Sequence, residues 1–465
     1  MRSYIARLSR SSVGWSWVLN LLRMGTGVIL LPLLLHMPEN DLGLYWVLIG
    51  LQALVPLMDL GFLTSIERAV GYAMGGATDL RSEGVTARGD GGGKPNYELL
   101  AKLLTVTRSL YRTLTLVVLV GLGAWGTFAV GFRVSETSSP LHSWIAWGIT
   151  LVACAYEMYA GWWSVYLRAL NRVLLYTKIL VVAFLFKFLL SSALLLADAG
   201  LLAVPIASLV SSLLSRSMAR RKCVEYLAGN ANAPVDKADA RAILKTLWPN
   251  SWRTGLHYIS GYLISSANTF ICMAFFGLGT NASFGLTLLI VVICQSMSSV
   301  WVQVKWPLIS QLRARNELPD LRSIFARRMW LAHGTFLALA GIALMFHEPL
   351  LKRLGSGKSV LPSPWLWLLI LNGWLEMRCT LWSTLLATSN RTPFLVPSLL
   401  TSAASLAITF GLIGGTDIGV GALVLGPLIA GVAFNYWYWP QVAAHSASSS
   451  WIRMMFDSRN IRPGS

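Results

Sequence analysis

The sequence predicts an all-α integral membrane protein, with about 12 transmembrane helices in two six-helix lobes around a central cavity. Three observations carry this. Of 465 residues, 55% are hydrophobic and 12% charged, against about 45–50% and about 25% in a soluble domain. Such a chain cannot cover a soluble globule of its size with polar side chains. The apolar stretches are continuous, as in LALAGIALMF at 337–346, whereas barrel strands alternate about every second residue. Finally, 55% of 465 is about 256 apolar residues, material for about 12 spans of roughly 20 residues each. Mean hydropathy is +0.59. Disordered, collagen-like and nucleic-acid-binding classes are excluded by the same composition.

The spans follow in order. Helix 1, over 14–36, comes after the basic MRSYIARLSR and is full length, with no small-residue cleavage site, so it reads as a retained helix. Helix 2 covers 44–64. A polar insert containing ARGDGGGKPN, 78–97, precedes helix 3 at 108–130. Helices 4, 5 and 6 cover 143–168, 174–196 and 200–218. The basic stretch 219–248, with ANAPVDKADA, then separates six helices from six. Helices 7 to 12 cover 250–277, 284–309, 327–347, 363–388, 394–414 and 418–440. The domain division is an N-terminal six-helix lobe at 1–220, a cytoplasmic linker at 221–248 and a C-terminal lobe with a short cytoplasmic tail at 249–465. Aromatic groups mark several ends: Trp15 and Trp17, Trp144 and Trp147, Trp365 and Trp367, and Tyr436 to Trp439. Amphipathic rings settle at headgroup depth.

The formal net charge is +18. In a membrane chain this reflects Lys and Arg in cytoplasmic loops. Arg2, Arg7 and Arg10 precede helix 1. Arg81, Arg88, Lys94 and Lys102 lie between helices 2 and 3. Arg220, Arg221, Lys222, Lys237, Arg241 and Lys245 lie between helices 6 and 7, Arg313, Arg315 and Arg322 follow helix 8, and Arg453, Arg459 and Arg462 close the chain. Only Arg133, Lys352, Arg353 and Lys358 fall on the other side, so the rule places both termini in the cytoplasm.

The halves resemble each other. DLGLYWVL at 41–48 and ASFGLTLL at 282–289 each open the second helix of a half, and Gly43-Leu44 align with Gly285-Leu286 at a shift of about 242. Both halves enter from the same side. The repeats are therefore expected to be parallel, related by an axis along the membrane normal.

Ionisable residues at mid-span cost about 2.5–3.5 kcal/mol each on insertion scales, and need a partner, a wet cavity or an interface. Arg23 lies mid-depth in helix 1 and Asp59 in the cytoplasmic third of helix 2. Glu157 and Lys187 match in depth on helices 4 and 5, which suits a structural ion pair. Glu376 and Arg378 lie mid-way along helix 10. Arg253 and Lys305 lie near the cytoplasmic ends of helices 7 and 8, where snorkelling is the plain alternative. Asp59 either pairs with Arg23 or caps a break at Gly61. Five deep cations against three anions point to a cationic cavity suited to a ligand with phosphate or acid groups.

Other motifs lead nowhere. RLGSGKS at 353–359 has Lys352 where a phosphate-binding loop needs its first Gly, and no strand precedes it. HEPL at 347–350 is not a zinc motif, and the six histidines are scattered. The five cysteines, Cys154, Cys223, Cys272, Cys294 and Cys379, have no paired spacing and read as small hydrophobes. NRT at 390–392 matches a glycosylation sequon on the cytoplasmic side. No metal, no resident cofactor and no enzymatic constellation is expected.

The run ILLPLLLHMPENDLGLYWVLIGLQALVPLMDLGFLTSIERAVG at 29–71 resembles the first two helices of the polysaccharide transporter branch, the O-antigen and exopolysaccharide flippases, of the multidrug/oligosaccharidyl-lipid/polysaccharide exporter superfamily. NASFGL at 281–286, WPLISQLRARNELPDLRSIFARR at 306–328 and LLATSNRTPFLVPSLLTSAASLAI at 385–408 resemble the corresponding second-half segments. The likeness covers most of the chain. It departs at the 78–97 insert and at Asn268, where many relatives carry Asp. The resemblance implies a bacterial inner-membrane flippase that moves undecaprenyl-pyrophosphate-linked oligosaccharide by alternating access, with helices 1, 2, 7 and 8 lining the cavity. It implies Arg23 and Arg253 as contacts for pyrophosphate or acidic sugars, joined by Lys305. Asp59 either orients Arg23 or carries a coupling proton, and proton or sodium coupling is expected. Implied partners are the lipid-linked oligosaccharide, membrane lipids and the polysaccharide polymerase machinery, without nucleic acid. The alternative is a multidrug exporter of the same superfamily. A 14-helix peptidoglycan-precursor flippase, a major facilitator carrier and a glycan polymerase or ligase fit less well. The helix count differs, IERAVGYAMGGATDLR lacks the facilitator motif, and the longest outer loop, 348–362, is short.

Arg23→Ala is expected to abolish transport while the protein's level in the membrane persists, read by export assay beside a membrane blot. Wild-type export in that variant would remove Arg23 from the cavity.

Overall fold

A computed structural model describes residues 15, 18, 19, 22, 29–80, 95–170, 172–227, 237–314, 317–353, 357–388 and 395–456. Arg23 lies outside the described residues, as do 81–94 of the insert, 228–236 of the basic linker, the sequon at 390–392, and 354–356 of RLGSGKS. The described chain is helical throughout, with no β-strand.

It divides into two compact units, Met1–Tyr262 and Leu263–Ser465. The first holds α1 (Glu39–Gln52), α2 (Val55–Met58), α3 (Phe62–Met74), α4 (Tyr97–Val117), α5 (Gly123–Gly131), α6 (Pro140–Ala169), α7 (Val173–Leu196), α8 (Ala203–Leu227) and nearly all of α9 (Lys237–Ser265). The second holds α10 (Ala267–Gln303), α11 (Trp306–Ala314), α12 (Leu318–Arg353), α13 (Trp365–Ala387), α14 (Leu395–Gly415), α15 (Ala422–Ala430), α16 (Tyr436–His445) and α17 (Trp451–Phe456). The six-plus-six division by span count and the division by contact differ, because the first part of the seventh span, up to Tyr262, packs with the first unit.

Among the described residues, eight helical segments are long and apolar enough to cross a membrane, and one of them, Asp239–Gln303, covers predicted helix 7 and most of predicted helix 8. Helix 1 is described only in part. Predicted helices 4 and 10 correspond to α6 and α13. These are long enough to span, but each carries four tryptophans and one mid-helix carboxylate, Glu157 or Glu376, which lowers its hydropathy.

Helix limits depart from the apolar limits where polar turns extend a helix beyond hydrocarbon. Helix 3 begins at Tyr97, capped by Asn96, whose Oδ1 accepts from the Leu99 amide at 3.0 Å. The turn between predicted helices 7 and 8 is a kink at Gly277 (φ 85°, ψ 173°), and 278–283 is helical. The turn before α6 is fixed by α1: Asp41 accepts from the Ser138 amide at 2.8 Å and from its hydroxyl, and Asn40 Nδ2 donates to Glu136 O at 2.6 Å.

Both second helices of the sequence repeat are interrupted toward their C-terminal ends. In the first unit the chain bends after Gln52 and again at Asp59–Gly61, where Leu60 and Gly61 both have positive φ, 51° and 74°. In the second unit the break is at Val304–Lys305, between α10 and α11. The core of the first unit lies where α8 packs on α6 and α7, with Trp162 stacked on Trp163 (3.9 Å) and edge-on to Tyr166 (5.4 Å). In the second unit Trp382, fully buried, meets Phe325 edge-on at 4.9 Å.

At the Gly61 break, backbone approaches backbone. A Cβ on Gly61 would lie 2.5 Å from Ser251 O, and one on Gly255 would lie 2.9 Å from Leu60 Cα. Small residues let membrane helices approach this closely. Gly71, on α3, has open space around it. Gly255→Leu is therefore expected to cost about 1–3 kcal/mol by overpacking, and Gly71→Leu to stay within about 0.5 kcal/mol of wild type. Thermal melting in detergent measures both. Equal melting of the two variants would contradict the close contact.

Candidate functional site

Among the described residues, three polar clusters lie within the helices. The first surrounds the Asp59 break. Asp59 is buried; its Oδ2 accepts from the Leu63 amide at 2.9 Å, and its Oδ1 accepts from the buried Tyr111 hydroxyl of α4. Asp59 thus caps α3, which is one of the two roles the sequence left open. Eight residues on, Glu67 takes Arg168 Nη2 of α6 at 2.7 Å, and that guanidinium lies 5.3 Å from the Tyr176 ring. Thr107 and Tyr166 are 3.3 Å apart. Buried Ser251 lies 2.9 Å from buried Ser65. The apposition of Gly61 with Ser251 and Thr254 puts the turn that carries Arg253 beside the Asp59 break. Arg253 itself is exposed, with its guanidinium 5.8 Å from the Trp252 ring.

The second cluster joins α6 and α8. Glu157 pairs with Arg216, which also donates to Ser164 Oγ, and Ser212 Oγ donates to Glu157 at 3.2 Å. This corrects the expected Glu157–Lys187 pair. Their depths match, but rotation about the helix axis turns the carboxylate toward α8. Lys187 is half-buried and has no ion pair among the described residues. Arg216 was missed because it sits at the edge of its predicted span. A signal for it existed: Ser208, Ser212 and Arg216 recur every four residues, a polar stripe on one helix face.

The third cluster is in the second unit. Gln295 Nε2 donates to Gly373 O at 2.8 Å and lies 3.4 Å from Glu376 Oε2. Tyr436 donates to buried Asn372 at 2.6 Å, and Trp374 Nε1 donates to His333 at 2.9 Å. Glu376 and Arg378 form no ion pair, because residues two apart point away from each other on a helix. Arg378 instead lies over the Trp451 ring at 4.8 Å. Lys305 sits in the break of the eighth span, half-buried. Asn268 is buried and donates to Leu423 O at 3.2 Å, a structural tie.

Of the four expected cavity residues, then, Asp59 and Arg253 share one neighbourhood of the first unit. Lys305 belongs to the second unit, and Arg23 lies outside the described residues. Among the described residues no group of His, Cys, Asp and Glu could hold a metal ion, and the five cysteines are free.

No protein-family model and no curated protein matches the chain in sequence. Its fold, however, matches solved transporters along nearly the whole length. One is an inward-facing multidrug resistance MATE family transporter of the MOP superfamily: TM-score 0.56, 13% identity, covering 93% of this chain and 96% of that one. A second is the MATE multidrug transporter DinF-BH, solved as a complex: TM-score 0.57, 13% identity, 93% and 94% covered. A third is a MOP superfamily transporter from Pyrococcus furiosus, described as having a binding pocket of reverse polarity that suggests a different function: TM-score 0.52, 14% identity, 98% and 96% covered. At such identity the likeness shows the fold.

Removing either partner of this half-buried ion pair leaves the other charge without its partner. Glu157→Ala and Arg216→Ala are each expected to lower the melting temperature. The double variant should fall less than the two losses combined, with a coupling energy of about 0.5–3 kcal/mol. Strict additivity in detergent melts would show that the pair does not interact.

Proposed function

We propose that the chain is a non-enzymatic membrane transporter that works by alternating access and exports small organic molecules. One observation carries the reading: its fold matches multidrug transporters over more than nine-tenths of both chains. The broken second and eighth spans, with Asp59 and Lys305 at the breaks, suit a protein whose spans must change packing as it cycles. The drug-exporter reading is favoured over the flippase reading because the neighbours described by substrate class are multidrug transporters.

Flipping of a lipid-linked oligosaccharide is the second reading. Arg253 and Lys305 favour it, as basic side chains suited to pyrophosphate, and the Pyrococcus neighbour supports the idea that pocket polarity varies within this fold. Under either reading, proton or sodium coupling is part of the proposal, with Asp59 and Glu376 as the candidate carboxylates. The bacterial inner membrane, with both termini cytoplasmic, is the proposed location, on the strength of the Lys and Arg distribution. A polysaccharide polymerase is a partner only under the second reading.

Deleting the gene in its host and following two quantities together separates the readings. Raised sensitivity to cationic dyes with intact surface glycan is the expected result. Lipid-linked oligosaccharide accumulating on the cytoplasmic leaflet, with lost surface glycan and unchanged dye sensitivity, would replace the exporter by the flippase.

A further inference from the structure

The end of α12 opposite the basic loops carries a cavity of about 610 Å³. Lys352, Glu348 and His347 line it from α12, and Lys358 and Ser359 line it from the segment that leads to α13. Two lysines face one glutamate, so the wall has excess positive charge. Lys352 Nζ and Glu348 lie 3.7 Å apart with side chains 81% and 68% exposed. So loose and open a pair gains little from its own attraction and leaves the ammonium able to turn to another anion.

Three further observations place the cavity at headgroup depth and give it an apolar extension. Trp367, at the start of α13, is exposed, as are Met345 and Phe346, one to two turns before Lys352. Large apolar side chains left uncovered on a spanning helix face lipid, and indoles gather at its interface. On the Lys352 face of α12, Met345, Gly341 and Ala338 follow at helical spacing, and a Cβ added to Gly341 would meet nothing within 4 Å. The small residues form a shallow open furrow. Gly341 lies about 16 Å along the helix from Lys352, about the depth of one leaflet.

We propose that this end of α12 binds an anionic phospholipid. The phosphate sits on Lys352 and Lys358, and an acyl chain lies along Met345, Gly341 and Ala338. A zwitterionic headgroup brings its own cation and leaves the two lysines competing with it. An anionic headgroup balances them. Simple snorkelling of Lys352 needs neither Lys358 nor the furrow, so the two accounts differ in what each substitution does.

The test uses the full chain purified in detergent, with dioleoyl phosphatidylglycerol, dioleoyl phosphatidylcholine or inorganic phosphate added, and reads bound lipid by native mass spectrometry. Phosphatidylglycerol is expected to bind more tightly than phosphatidylcholine. Lys352→Ala and Lys358→Ala should each weaken it about fivefold, while Lys352→Arg preserves it. Gly341→Leu, which leaves both lysines in place, should weaken it as well. Melting without added lipid checks that each variant is folded, and Lys358→Gln replaces any alanine variant that is not. Equal binding of the two lipids, full binding by the lysine variants, or displacement of phosphatidylglycerol by millimolar inorganic phosphate would each overturn the proposal.

Discussion

A backbone amide or carbonyl without a partner inside hydrocarbon costs several kcal/mol, so a spanning helix can break only where the freed groups are taken up. The Asp59–Gly61 break meets this condition within a few residues. The Asp59 carbonyl accepts from the Phe62 amide and its carboxylate from the Leu63 amide, and the Gly61 carbonyl accepts from the Thr64 hydroxyl. Because these groups are satisfied locally, the bend exposes a smooth backbone surface at Leu60–Gly61. The Ser251–Gly255 turn of α9 then closes on it without side chains between. Tyr262 extends the same contact by donating to Gly50 O at 3.3 Å. The allegiance of the seventh span's first part to the first unit follows from that one solved backbone problem.

The eighth span solves the same problem without a carboxylate. At Val304–Lys305 the amides reach back to Val300 O and Val302 O, both at 3.0 Å, and Ile309 N finds Lys305 O at 2.9 Å. A tight turn closes the gap. The shift of about 242 sets Asp59 against Trp301 and Lys305 against Leu63, so the two halves share a break late in the second helix, displaced by a few residues, and not its chemistry.

Long-range features of the fold were legible because they rest on composition: helical class and span number. The break at Gly61 was also legible, since Asp59-Leu60-Gly61 offers a cap and a left-handed position together. Features that depend on rotation about a helix axis were not. Depth follows from counting residues, and it matched Glu157 with Lys187. Azimuth follows from packing, and it matched Glu157 with Arg216. Tyr111 and Gln295 escaped for a related reason: a single phenol or amide in an apolar run carries no periodic signal until a neighbouring helix shows what it faces. Arg23 lies outside the described residues, so its placement rests on the sequence alone.

These placements change what the charge count means. Five deep cations against three anions suggested one basic cavity. Arg216 adds a sixth cation, but it is spent on Glu157 inside the first unit. Arg378 rests on Trp451, among side chains that hold the C-terminal segment: Arg313 donates to Ser446 O and Arg322 to Ala447 O, both at 3.1 Å. Those charges have partners within the fold. The excess that pointed to an acidic substrate is thus spread over several places, and no single site inherits it. In the first unit the buried Asp59, already holding two hydrogen bonds, stands beside the turn that carries the exposed Arg253; in the second unit Lys305 is half-buried at its own break. For the proposed transporter, substrate polarity therefore follows from the side chains that face the substrate and not from the total charge.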